Sequence, residues 1–203
     1  LVKQDVFHAL RFYIINLKYD LSKKTQFGFG RRVNPKISNI GAIDGLQFET
    51  KISKFSLGAF VGSRPNYIDY NFDFSLPQFG VFVSHNAKAS NGEMQNTFAL
   101  VNQMNSSNTD RRFAYFQHSN SLVKNLYFFS SVELDLYKNI NGKAQNTLSL
   151  TSSYFSLNYR PWRRLSLSTS YDIRKNIIYY ETYKSFINQI IDNISSQLLG
   201  CKR

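Results

Sequence analysis

Hydrophobic and polar residues alternate with a period of two along most of this chain. From Arg164 to Arg174, Leu165, Leu167, Thr169, Tyr171 and Ile173 fall on one side, and Arg164, Ser166, Ser168, Ser170, Asp172 and Arg174 on the other. At helical spacing both sets would smear around the axis, so the segment reads as a strand. Asn125 to Tyr137 repeats the pattern. Leu126, Phe128, Val132, Leu134 and Leu136 share one face with Ser130, while Tyr127, Phe129, Ser131, Glu133 and Asp135 share the other. Tyr13 to Leu21 alternates likewise, and Phe55, Leu57, Ala59 and Val61 alternate with Ser56, Gly58 and Gly62.

Weaker strand patterns cover Gln26–Arg32, Ala42–Ile52, Tyr70–Ser84, Met94–Met104, Arg111–His118 and Thr147–Tyr159. Two of them change phase. Around Pro77 the leading positions shift from Tyr70, Phe72 and Phe74 to Phe79, Val81 and Val83. A proline cannot donate to a ladder, so this predicts a bulge or kink, or else a tight turn at Leu76-Pro77-Gln78. The shift near Ser152-Ser153 predicts a second bulge. About ten strands of mostly 7–15 residues result, longer than the usual soluble strand of about 5–6 residues and long enough to cross a bilayer at a tilt.

Tight connections fall at Ser22–Thr25, Ser53-Lys54 and Pro161–Arg163, and longer polar ones at Val33–Gly41, Gly62–Asp69, Asn105–Asp110 and Lys138–Asn146. Short turns alternating with long loops suit a barrel. His85–Glu93 breaks the alternation, since a long loop stands where parity requires a short turn. The rhythm changes again after Arg174. Tyr183, Phe186, Ile187, Ile190, Ile191, Ile194 and Leu198 recur at steps of three and four, which predicts an amphipathic helix over Glu181–Leu199. The chain therefore reads as one all-β domain over 1–203. It is an antiparallel up-and-down meander with strands over about 10–174, forming an incomplete transmembrane barrel with a helical segment at its C-terminal end.

Composition sharpens this picture in three ways. The chain has no run of about 18 apolar residues and so no transmembrane helix, and its mean hydropathy is −0.34. Barrel strands turn half of their residues to a polar lumen, which gives such an average. Phe (18) and Tyr (13) raise the aromatic content to 16%, as expected of half-buried pleated surfaces and wet–dry boundaries. The net charge of +12 is dispersed in pairs: Lys23-Lys24, Arg31-Arg32, Arg111-Arg112, Arg163-Arg164 and Arg174-Lys175. Without a basic arm or an RNP-type signature, solvated loops explain it better than nucleic acid. The single cysteine, Cys201, permits neither an internal disulfide nor a cysteine zinc site. The first residues, Leu1-Val2-Lys3-Gln4-Asp5, are not a signal peptide, and the chain reads as an interior fragment.

Several segments resemble uncharacterised, porin-like outer-membrane β-barrel proteins of Gram-negative bacteria. They are Gly30-Arg31-Arg32, Gly45-Leu46, Gly58 to Pro65, Gln78 to Val81, Arg112 to Leu122, Leu165 to Ser168 and Tyr171 to Arg174. The resemblance spans roughly Gly30 to Phe186. It implies an outer-membrane location, partners among outer-membrane lipid and lipopolysaccharide, and passage of small solutes, with no ligand or catalytic residue attached.

Candidate chemistry is sparse. Gln117-His118-Ser119-Asn120 holds the residue types of a barrel lipid hydrolase, but adjacent His and Ser point to opposite faces of a strand. Glu133 with Asp135, and Asp172 with Arg174, each share a face. They are the candidate lumen-lining binding residues, able in principle to hold a cation or a solute but more often ordinary lumen polarity. His8 and His85 have no companion at metal-ligand spacing, and no metal, cofactor or catalytic residue is expected. The leading expectation is a channel, transport or structural role in the outer membrane and no enzymatic one. The rivals are a soluble secreted β-domain binding glycans or another polymer, and an outer-membrane lipid hydrolase. The direction of the apolar face separates the first two.

Overall fold

The computed structural model describes residues 12–66, 70–140 and 143–175, together with Tyr179, Thr182 and Ile187. Ten strands form a single sheet: β1 (Ile15–Asp20), β2 (Thr25–Val33), β3 (Ala42–Ile52), β4 (Phe55–Ser63), β5 (Pro77–Ala89), β6 (Gly92–Asn105), β7 (Asn108–Asn120), β8 (Leu126–Ile140), β9 (Lys143–Trp162) and β10 (Leu165–Arg174). Their order in the sheet is their order in sequence, and every neighbouring pair is antiparallel. The meander is the expected one. The sheet is not closed, because β1 and β10 are its two edges.

Pro77 is the first residue of β5, the position in a strand where a missing N–H costs least. Tyr70 to Leu76 is therefore connection, and its phase belongs to a turn in which the Leu76 N–H donates to the Asp73 carbonyl. The bulge foreseen at Ser152-Ser153 lies at Thr151, where Ser152 pairs with Glu133 and Leu150 with Leu134. Three predicted loops shorten. Residues 90–91 and 106–107 are two-residue connections, and β8 and β9 pair as far as Ile140 with Lys143, because β5 through β9 run further than their apolar alternation does. The polar residues of His85–Glu93 continue β5 and β6, paired as far as Ala89 with Gly92, and the short connections after β6 and β8 mean that the expected alternation of short turns and long loops does not hold over β6–β9. The helix expected over Glu181–Leu199 lies mostly outside the described residues, although Thr182 and Ile187 are helical.

One element was expected only as loop. Pro35–Ile40 forms a short 3-10 helix, kinked at Ile37 (φ −137°, ψ 46°), between β2 and β3; it is capped by Asn34, whose side chain accepts from the Lys36 N–H at 3.0 Å. This helix lies against the inner face of the sheet and reaches across it. Its Lys36 meets Glu49 of β3, Gln117 of β7 donates to the Pro35 carbonyl at 3.3 Å, and Asn39 donates to Ser131 of β8 at 3.4 Å. Six residues of 3-10 helix span about 12 Å. Five steps between strands of a flat sheet would cover about 24 Å. The sheet must therefore curl around the helix, which defines a concave inner face.

Two glycine devices support the curl. Gly30, Gly45 and Gly62 pair in register across β2, β3 and β4. A Cβ on Gly45 would fall 2.5 Å from the Gly62 Cα, so only a hydrogen fits where these strands approach. Further along, Phe60 pairs with Gly80 and Phe82 with Gly58. Each ring lies over the opposite glycine, filling the space a side chain would have taken. Phe60 and Phe82 form a dry cluster with Ile37 and Ile40 of the 3-10 helix, Ile43, Ala99, Val101, Phe113 and Tyr115. The core therefore sits inside the curl, between β3 and β7.

Candidate functional site

Strand pairing decides which side chains share a face, and the concave face is the chemically rich one. Its polar residues form a shell around the apolar cluster. On β7, Arg111 is 4% exposed and donates from Nη2 to Glu133 (2.8 Å) and from Nε to Asp135 (2.8 Å) on β8. Its guanidinium also lies 4.1 Å from the centre of the Phe113 ring. Tyr115 donates to Gln117 at 2.7 Å, and Gln117 in turn holds the 3-10 helix. Gln78 donates to the carbonyls of Ala42 and Ser63, both at 3.2 Å, and accepts from Gln103. Near one end of the face Arg64 donates to Asp110 and to the Met104 carbonyl, both at 2.9 Å, and Thr182 donates to Asp110.

The four sequence-derived candidates divide into two settings. Glu133 and Asp135 lie side by side on the concave face, as alternation requires, but Arg111 binds both. They belong to a buried three-membered ion cluster and offer no open pair of carboxylates for a solute. Asp172 and Arg174 also face inward, because β10 pairs with β9 at Asp172↔Tyr154 and Arg174↔Ser152. Both are exposed and contact each other at 3.1 Å. The register sets Glu133 and Arg174 in one row, on either side of Ser152 of β9, but among the described residues no ion pair joins the two groups. The inner side of β9 and β10 also presents Ser156, Asn158, Ser168 and Ser170, so the concave face changes from a filled half over β3–β8 to an open polar strip.

His118 and Ser119 fall on opposite faces, as their adjacency dictates. His118 contacts Asn96 at 2.6 Å on the outer side, and Ser119 pairs with Phe129 on the inner side. Among the described residues, no three His, Cys, Asp or Glu side chains gather into a metal site.

Over β4 to β7 the convex face is apolar and, among the described residues, uncovered. Leu57, Val61, Phe79, Val81, Val83, Phe98, Leu100 and Phe116 lie on it, in register across β4 to β7, and are 36–56% exposed. Phe128, Val132 and Leu134 continue this face on β8, and Leu167, Tyr171 and Ile173 continue it on β10. The eight fully named residues alone expose on the order of 600 Å² of apolar surface, the upper end of what one patch on a soluble monomer carries. Polar side chains interrupt this face in cross-strand pairs. Asn102 accepts from Arg112 at 3.1 Å, and Arg31 makes a two-pronged contact with Asp44 at 2.5–2.6 Å. Tyr70 and Phe12 cover that second pair, each giving a backbone carbonyl to Arg31.

Arg111 was visible in the sequence only as half of a dispersed basic pair, because register and not spacing gives it its partners. The Asn34-Pro35 cap was the available signal for the 3-10 helix.

The class this geometry defines is an open, curled, antiparallel ten-stranded meander with an apolar convex face and a filled, polar-shelled concave one. No family model matches the chain, and neither a curated protein nor a solved structure is detectably similar to it.

Proposed function

We propose that this chain forms part of the wall of an outer-membrane β-barrel and serves a structural, channel or transport role rather than an enzymatic one. The observation that carries this reading is the orientation of the apolar face. Large apolar side chains stand uncovered on the convex side of consecutive strands, while the ion cluster and the glutamine shell lie on the concave side. A soluble sandwich or barrel makes the opposite demand, since its largest apolar surface must leave water. A bilayer covers the convex face without a second protein layer. Lipid and lipopolysaccharide are then the partners of that face, and a relation to porin-like proteins rests on this pattern alone.

The concave face narrows the role. The 3-10 helix and its apolar cluster fill the curl over β3–β8, so a small solute has no path there. Any passage runs along the hydroxyl-rich strip of β9 and β10, past Asp172 and Arg174.

The test is membrane insertion. The chain, refolded with vesicles of phosphatidylethanolamine and phosphatidylglycerol, should float with them and resist alkaline extraction. Val81→Arg should weaken insertion by about 2–4 kcal/mol if it lies near the bilayer midplane, whereas Ser170→Arg on the inner strip should change little. A chain that stays monodisperse in water without detergent and ignores the vesicles would refute the reading.

A further inference from the structure

The convex face is not uniform. Where Phe12 and the connection from Tyr70 to Phe74 fold back against it, they enclose an open hollow of about 750 Å³ over β1–β4. This lies within the range of small-ligand pockets, about 300–1,000 Å³. The walls are Phe29, Leu46 and Val61 of the sheet, together with Phe72 and Phe74, whose own rings meet edge to face at 4.4 Å. The glycine row Gly30–Gly45–Gly62 also lines the hollow and leaves its floor without side chains.

The polar groups of the hollow are unequal. Arg31 spends four of its five N–H donors on Asp44 and on the carbonyls of Phe12 and Tyr70, so this ion pair is largely satisfied within the chain. Ser63 is different. It lines the hollow and is 4% exposed; its hydroxyl oxygen is sealed from the hollow in this rotamer and has no hydrogen-bond partner. A buried hydroxyl left unpaired costs stability unless something completes it. Apolar walls with one idle hydroxyl suit a hydrocarbon chain that ends in a carbonyl oxygen.

We propose that the hollow holds one acyl chain of a bilayer phospholipid, its ester carbonyl accepting from Ser63 after a rotation about the serine Cα–Cβ bond. This rests on the membrane reading above. The source is the bilayer because Phe29, Leu46 and Val61 belong both to the hollow and to the exposed convex face. A chain can therefore slide in sideways from lipid without crossing water.

The test is native mass spectrometry of the full chain, released into mild detergent from vesicles of phosphatidylethanolamine and phosphatidylglycerol. The wild-type protein should carry one phospholipid. Val61→Trp, which fills the hollow, should carry none, and Leu46→Trp serves if that variant does not insert. Leu100→Trp, on the same face but outside the hollow, should keep the lipid. Ser63→Ala should lower occupancy roughly two- to tenfold, the effect of one lost hydrogen bond, without lowering the stability of the lipid-free protein. Equal lipid retention by wild type and both tryptophan variants, or a wild-type chain that inserts and carries no lipid, overturns the proposal while sparing the membrane reading. A chain that never enters the vesicles overturns both.

Discussion

Arg111 shows how much a single side chain can carry in this fold. It is buried between two carboxylates, and Glu133 is 4% exposed. Removing the guanidinium leaves Glu133 charged in a poorly solvated place. Arg111→Met should therefore cost about 3–5 kcal/mol, the range for breaking a buried ion pair from one side, measured as a shift in the denaturant midpoint. Asp135→Asn should cost less, because Asp135 is only half-buried and Arg111 keeps Glu133. A smaller lever lies at the turns. Ser106 has a φ of 53°, and its neighbour Ser107 is not in the left-handed region, so the two-residue turn has the type II′ pattern that favours glycine first. Ser106→Gly should stabilise the chain by about 1 kcal/mol in the same assay. At this scale the sequence located faces but not partners. Glu133 and Asp135 had to share a side because they are two apart. Their binding by Arg111 depends on Phe113 pairing with Asp135, a register that alternation along one strand does not encode.

Among the elements, the strands were legible and the inner helix was not. Alternation in Ala42–Ile52 and Leu165–Arg174 is long enough to mark the strands to within a residue. In His85–Ala89 and Lys143–Asn146 polar residues occupy both faces, so these strand ends looked like loops until pairing with a neighbour supplied their structure. The 3-10 helix is six residues long, too short for a periodic signal, and its role comes from what lies across the sheet. Ile37 is fully buried in a cluster with residues of five strands, β3 to β7. Ile37→Ala should cost about 2–5 kcal/mol, as for other large-to-small changes at sites that collapse incompletely. It should also open the filled half of the curl, seen as faster hydrogen exchange of the Phe113 and Tyr115 amides. Stability unchanged in Ile37→Ala would mean that the helix merely rests on the face and does not help to curl it.

At the scale of the whole molecule, the sheet is a curled wall whose outermost strands, β1 and β10, have no further strand beside them among the described residues. β1 and β10 keep the same alternation as the strands between them, and each is exposed along its length. Free edges invite pairing, and closure is what removes them in barrels. The all-β meander followed from the sequence because alternation and short connections are local. The filled interior did not, since it needs residues from β3, β4, β5, β6, β7 and the 3-10 helix together. The central claim is that the convex face meets lipid and the concave face does not. Site-directed spin labelling tests it most directly. With Cys201→Ser as background, single cysteines are placed at each position from Leu165 to Arg174 in vesicle-bound protein. Collision rates with oxygen, which concentrates in lipid, and with a water-soluble nickel chelate are then compared. The account predicts a period of two, with labels at Leu167, Thr169, Tyr171 and Ile173 favouring oxygen, and labels at Ser168, Ser170, Asp172 and Arg174 favouring nickel. Equal nickel access along the whole strand, or the opposite phase, would contradict it.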